Sequence, residues 1–191
     1  MDNKQRDKLF NLSPTHRIAF AASCAERLFP NYIAFSRNAN WGNPQQLREA
    51  LDAVWSHLLG NPLTPSAARK LIKQCEPFVP DTEEVQTDLV SGGLDAGVAV
   101  LEALSSCIDD DPEHAIDASI AATDTVDRHI QITECLDYTV MDFEERIAIE
   151  ERIAKHPLML REIKKQESDL QLLEHTPTIN AALIDQLRKP S

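Results

Sequence analysis

With 191 residues, of which 42% are hydrophobic and 26% charged, the chain is long enough for one domain with a sizeable core, and its composition is not that of a disordered protein. No stretch of about 18 or more uncharged apolar residues occurs, and Met-Asp-Asn-Lys-Gln-Arg-Asp-Lys is a charged start rather than a lead into an apolar signal region. A membrane span is therefore not expected, and a cytoplasmic location is.

The net charge of −12 is unevenly spread. Residues 1–80 carry ten Lys/Arg and six Asp/Glu, residues 81–142 carry Arg128 alone against sixteen acids, and residues 143–191 carry eight against nine. The middle block, at −15, argues against nucleic acid there, because phosphate contacts need clustered Lys/Arg. Its plainest reading is a set of solvated helix faces. Read functionally, it is an acidic surface for a protein partner.

In chain order, helix starts repeat one device: Ser, Thr, Asn or Asp followed by Pro, where the first turn's free N–H groups need an acceptor and Pro costs nothing. Ser13-Pro14 opens a segment through Phe29, Asn43-Pro44 one that stops at Gly60, Thr64-Pro65 one to about Glu76, and Asp111-Pro112 a long one to about Leu136. Between Pro44 and Gly60, Leu47, Leu51, Val54, Trp55, Leu58 and Leu59 form an apolar stripe at helical spacing, so Leu51 and Trp55 are expected in the core. The segment from Ser91 to Ile108 is expected to begin with Gly92-Gly93 as a flexible corner and to put Leu94, Val98, Leu101, Leu104 and Ile108 on one face. Small residues at Ala96, Gly97, Ala99 and Ala103, and at Ala115, Ala118, Ser119, Ala121 and Ala122, predict close antiparallel packing with the next helix across Asp109-Asp110-Asp111. Beyond Met141 come Phe143 to Ala154, a break at His156-Pro157, Leu158 to about Leu173, and a short helix after Pro177 through Leu187.

No run alternates like a strand, and only five glycines occur. The expected fold is all-α: one compact array of seven to nine helices over residues 1–191, with 143–191 laid against the rest or used for self-association as a homodimer.

Signatures of chemistry are sparse. A ferritin-like di-iron site needs Glu-x-x-His pairs, and the nearest match is Asp111-x-x-His114, where Asp111 already serves as a cap. Asp95, Glu102 and Asp109 recur every seven residues, as do Asp117 and Asp124, the spacing of the wet face of an amphipathic helix. The six histidines form no i, i+4 pair, and Ser91-Gly92-Gly93 lacks the rest of a phosphate loop. The four cysteines lie 51, 32 and 28 residues apart inside segments read as helical, as expected of reduced, mostly buried thiols. Neither metal nor cofactor is expected.

The densest local feature is Ser23-Cys24-Ala25-Glu26-Arg27-Leu28-Phe29-Pro30-Asn31-Tyr32. Here a helix break at Pro30 is expected, with Asn31 capping the next helix, and Glu26, Arg27, Asn31 and Tyr32 form a candidate functional corner. A helix N-terminus beside Arg27 would suit an anion. The structural alternative holds Glu26 and Arg27 in ion pairs and the Tyr32 hydroxyl on a carbonyl.

This stretch resembles the YjaG-like family of uncharacterised bacterial proteins, whose Cys-Glu-Arg and Pro-Asn-Tyr signature is matched by Ala25-Glu26-Arg27 and Pro30-Asn31-Tyr32. The family's Cys is Ala25 here, with Cys24 one place earlier. The likeness continues through Trp41-Gly42, Leu51-Asp52-Ala53-Val54-Trp55 and Leu94-Asp95-Ala96-Gly97-Val98-Ala99-Val100, over roughly residues 9–136. The resemblance implies an all-helical cytosolic bacterial protein and no assigned activity. The functional expectation is a non-catalytic binding or interaction protein with an acidic surface. The alternative is an enzyme whose site is assembled from scattered residues near Glu26 and Arg27.

Overall fold

The computed structural model describes residues 3–136 and 142–189. Among them are nine α-helices and no strand: α1 (Asn3–Asn11), α2 (Pro14–Ala39), α3 (Pro44–Leu58), α4 (Pro65–Cys75), α5 (Val90–Ser105), α6 (Glu113–Thr133), α7 (Phe143–Ala154), α8 (Pro157–His175) and α9 (Ala181–Leu187). A single 3-10 turn, Glu76–Phe78, follows α4.

The cap-plus-proline device works as the sequence predicts. Side chains of Ser13, Asn43 and Thr64 accept from the backbone N–H of His16, Gln46 and Ala67, with Pro in the first turn of each helix. At the fourth site the helix starts at Glu113, and Asp111 Oδ1 accepts from its N–H at 3.0 Å. Asp142 and Glu145 form a reciprocal capping box on α7. Leu136, the expected end of α6, lies beyond its last turn.

The chain stays helical at two places where the sequence predicts a break or corner. The chain does not break at Pro30: α2 runs unbroken from Pro14 to Ala39 with Pro30 inside it. An interior Pro costs about 3 kcal/mol, but fourteen residues of α2 are buried against its neighbours, and the exposed ring of Pro30 turns to solvent. Asn31 is thus mid-helix and caps nothing, and the anion-binding helix N-terminus expected beside Arg27 does not exist. The helix ends at Asn40, in the left-handed conformation at φ 49°. Likewise, Gly92-Gly93 is not a corner but part of α5. A Cβ on Gly93 would come within 2.5 Å of the Phe35 ring, so the missing side chain lets α5 lie close on α2.

Helix α5 is the centre of the array, packed on α2, α3, α4 and α6. Its deepest residues are the small ones, Gly93, Ala96, Gly97, Ala99 and Ala103, with Val90, Val100 and Leu104, while Leu94, Val98, Leu101 and Ile108 are half-buried. The expected antiparallel pairing with α6 is fixed by two bonds. Thr125 Oγ1 donates to Asp95 Oδ2 at 2.7 Å, and the His114 ring meets Glu102 Oε2 at 2.7 Å, so late α6 sits beside early α5. These bonds also take Asp95 and Glu102 off the purely wet face expected of them.

Leu51 and Trp55 are core residues as expected, and Leu170, Leu173, Leu183, Ile184 and Leu187 bring α8 and α9 into the same cluster. A second, small cluster of Ile130, Ile153 and Met159 joins the end of α6 to α7 and α8. The four thiols are unpaired: Cys24 and Cys75 are buried and Cys107 is half-buried. Cys135 departs from expectation, exposed beyond the end of α6 with φ 54°.

Candidate functional site

Successive residues of a helix point about 100° apart, and at Glu26-Arg27 that rotation sends two charges into two networks. Arg27 turns toward α8. Its Nη2 donates to Glu162 Oε1 at 2.8 Å, its Nε to Glu162 Oε2 at 3.2 Å and its Nη1 to Asp169 Oδ2 at 3.1 Å. The three side chains are 6%, 10% and 4% exposed. Ser23 Oγ donates to Asp169 Oδ2 at 2.7 Å, and Lys165 Nζ reaches Asp169 Oδ1 at 2.5 Å. Gln166 closes the network by donating to Glu162 Oε1 and exchanging bonds with the Ser119 hydroxyl and carbonyl. Two cations thus balance two anions in a nearly dry space, the condition under which buried charge is tolerated.

The Cys24 thiol lies inside this network, with Arg27 Nη2 at 3.4 Å from Sγ. Burial pushes its pKa up to about 12 against the pull of the Arg27 charge. It is a protonated thiol at neutral pH rather than a nucleophilic thiolate.

Glu26 turns toward α3. Arg48 grips its carboxylate in a fork at 2.9 and 3.0 Å, Trp55 Nε1 donates at 2.8 Å, and Arg188, just after α9, reaches it at 3.4 Å. Burial opposes ionisation of Glu26, but these hydrogen bonds and the charges of Arg48 and Arg188 outweigh it and hold the pKa below the ordinary value. Arg48 also lies over the Phe29 ring at 5.0 Å and Arg188 over Trp55 at 5.7 Å.

Tyr32 belongs to a third place. Its hydroxyl donates to the Phe78 carbonyl and accepts from Asn43 N–H at 3.2 Å, and its ring meets Phe35 edge-on at 5.9 Å. Gly42, at φ 85°, lets the backbone pass against that hydroxyl. Asn31 faces Gly92 of α5. The four residues of the expected corner therefore do not converge. Glu26 and Arg27 share a helical turn but serve different neighbours, and Tyr32 and Asn31 serve others again.

Sequence reasoning missed the α8 side. Glu162, Gln166 and Asp169 fall at i, i+4 and i+7, on the face that also carries buried Met159, Leu170 and Leu173. Polar residues interrupting an apolar stripe at helical spacing were the available signal, because buried polar groups must find partners. Elsewhere, a cavity of about 300 Å³ opens between α1, α6, α7 and α8, lined by Thr123, Asp127, Glu150, Ile153, Met159 and Gln166 among others. Among the described residues no group of three His, Cys, Asp or Glu is placed to hold a metal, and no helix is long and apolar enough to cross a membrane.

Residues 4–191 match the family described as Protein of unknown function (DUF416), and the chain belongs to that family. It is 29% identical over 120 residues to the uncharacterized protein YjaG of Salmonella typhimurium, covering 62% of this chain and 61% of that one. To the YjaG of Escherichia coli it is 28% identical over the same shares of the two chains. These matches thus span about three fifths of the relatives' length. Among solved structures, a DUF416 family protein from Shewanella baltica shares the fold with a TM-score of 0.81 and 26% identity over 96% of this chain and 90% of that one.

Proposed function

We propose that the protein is a non-catalytic interaction module that receives a basic protein partner on the acidic side built from residues 81–142. The observation that carries this reading is the fate of that block's carboxylates. Arg6, Arg17 and Arg152 reach in from outside to pair with Glu113, Asp110 and Glu134. Asp81, Glu83, Glu84 and Asp88 before α5, and Asp117 and Asp124 along α6, remain exposed. A field of one sign on exposed faces steers an oppositely charged partner and raises its encounter rate.

The test is a fluorescence titration with a lysine-rich peptide at about 0.02 and 0.3 M NaCl, below and above physiological ionic strength. Binding at low salt that weakens steeply at high salt, and is lost when Asp117→Lys and Asp124→Lys are combined, is the expected result. Binding indifferent to both charge reversals would overturn the reading.

A second reading, self-association through α7, is favoured by one observation. Phe143 is 77% exposed and Ile147, one turn on, is 42% exposed. A second copy packed across a two-fold axis would bury both side chains against their counterparts. Sedimentation at high protein concentration should show a dimer that Phe143→Ser dissociates. A wild-type monomer under those conditions would rule it out.

A further inference from the structure

We propose that the cavity between α1, α6, α7 and α8 is a binding site for a primary ammonium carried on an aliphatic stem. The inference goes beyond the acidic-face reading, since it rests on a lined cavity between four helices rather than on the open acidic surface, and it would stand if Asp117 and Asp124 proved irrelevant.

Size comes first. The cavity measures about 300 Å³, room for about ten waters at their liquid volume and at the small end of ligand sites. Its wall is apolar, made by Ile153 and Ala154 of α7 and Met159 and Ile163 of α8. Such a wall takes a short alkyl chain.

The polar lining then decides the ligand's charge. Gln5 contributes an uncharged amide to the lining, and Gln166, 1% exposed, is already spent: its amide donates to the Ser119 carbonyl at 3.2 Å and Glu162 at 3.0 Å, and its oxygen accepts from Ser119 Oγ at 2.8 Å. Asp127 and Glu150 are the charged residues of the lining, with no Lys, Arg or His among them. Asp127 accepts one bond, from Gln131 Nε2 at 2.9 Å, which leaves most of a carboxylate's acceptor capacity open. The Thr123 hydroxyl donates its proton to the Ile120 carbonyl at 2.9 Å and so offers only acceptor capacity to a ligand. Two carboxylates and one hydroxyl oxygen match the three donors of a primary ammonium. A neutral guest would gain nothing from the two carboxylates, and an anion would meet like charge.

The same chemistry has two sources: a free alkylamine, or a lysine side chain of a partner. The experiment titrates n-pentylamine, an N-acetylated lysine peptide and 1-pentanol into the full chain. It follows the methyl resonances of Ile153, Met159 and Ile163. Saturable shifts of those methyls by an amine, weakened about tenfold in the Asp127→Asn/Glu150→Gln variant, are expected from two exposed ion pairs together. The variant changes two rim residues, and an unchanged methyl spectrum elsewhere confirms its fold. Tighter binding of the peptide would assign the site to a partner's lysine, and tighter binding of pentylamine to a small molecule. The proposal is overturned if pentanol binds as well as pentylamine, if the double variant binds the amine undiminished, or if no amine moves these methyls.

Discussion

Arg27 of α2 and Glu162 of α8, 135 positions apart, meet through two hydrogen bonds of 2.8 and 3.2 Å in an almost water-free space. Removing one partner of such a pair costs about 3–5 kcal/mol, because the other charge is left buried and alone. Arg27→Met is expected to destabilise by that amount in urea unfolding. Adding Glu162→Leu should recover at least about 2 kcal/mol, since apolar replacement of both partners is often neutral. A double variant no more stable than Arg27→Met would mean that the pair does not act as a unit.

Gly93 makes a second case of packing against chemistry. A methyl there would overlap the Phe35 ring, with neighbours at 2.5 Å. Although Ala is the better helix former by about 1 kcal/mol, Gly93→Ala is expected to destabilise by about 1–3 kcal/mol through overpacking. A gain in midpoint would show that α5 can move away from α2 at little cost.

The thiols should react in the order of their surroundings. Burial pushes Cys24 and Cys107 up to about 12 and Cys75 to about 11, so little thiolate forms at pH 8, and thiolate is the reactive species. Cys135 is exposed. Iodoacetamide followed by peptide mass mapping should modify Cys135 first and Cys24 only on unfolding. Early labelling of Cys24 in the folded protein would contradict the dry network around Arg27.

Two groups make the fold less stable as pH rises. Burial, together with the Asp124 charge and against the Thr125 hydrogen bond, lifts Asp95 from 3.8 to about 6. His114 is disfavoured as a cation by burial, but Glu102 and Asp109 outweigh this and raise its pKa above 6.5. Each folded pKa lies above its unfolded value, so each contribution is complete below the unfolded pKa and lost as pH rises through the folded one. For Asp95 the window runs from 3.8 to about 6. Discounting for its partial exposure, Asp95→Asn should gain about 1 kcal/mol at pH 7.5 and nothing near pH 4. Stabilisation by Asp95→Asn that is equal at both values would assign the effect to packing instead.

What was legible in the chain was what depends on near neighbours. The cap-plus-proline starts at Ser13, Asn43 and Thr64 are satisfied within three residues, so sequence order alone exposes them. The apolar stripe through Leu51 and Trp55 is equally local. Pro30 misleads because its neighbours argue for a break, while the burial that keeps α2 one continuous helix comes from helices distant in sequence. Glu26, Arg27 and Tyr32 stood out as chemically dense, and the alternative of ion pairs plus a hydroxyl on a carbonyl matches their contacts. Glu162, Asp169 and Arg188 could not be assigned to them from spacing, since those partners lie 135 to 162 positions away.

The acidic block carries the last prediction. Residues 81–142 hold −15, and the exposed members before α5 and along α6 repel one another across water. Opposing this, Arg6–Glu113 and Arg152–Glu134 are attractive pairs at the surface, and Arg17–Asp110 is partly covered. Salt weakens both kinds of interaction over a Debye length of about 8 Å at physiological ionic strength. Contact pairs have charges well inside that distance and contribute little to begin with, with a median of about 0–1 kcal/mol. The repulsion is summed over many longer separations, which screening removes most completely. Arg128 within the block and three arginines reaching in, against sixteen acids, leave the repulsive sum larger. Raising NaCl from about 0.02 to 0.3 M should therefore raise the melting temperature, and Asp117→Asn with Asp124→Asn should reduce that rise. A melting temperature that falls with salt would mean that attraction dominates this face, and would move the proposed docking site for a basic partner elsewhere on the molecule.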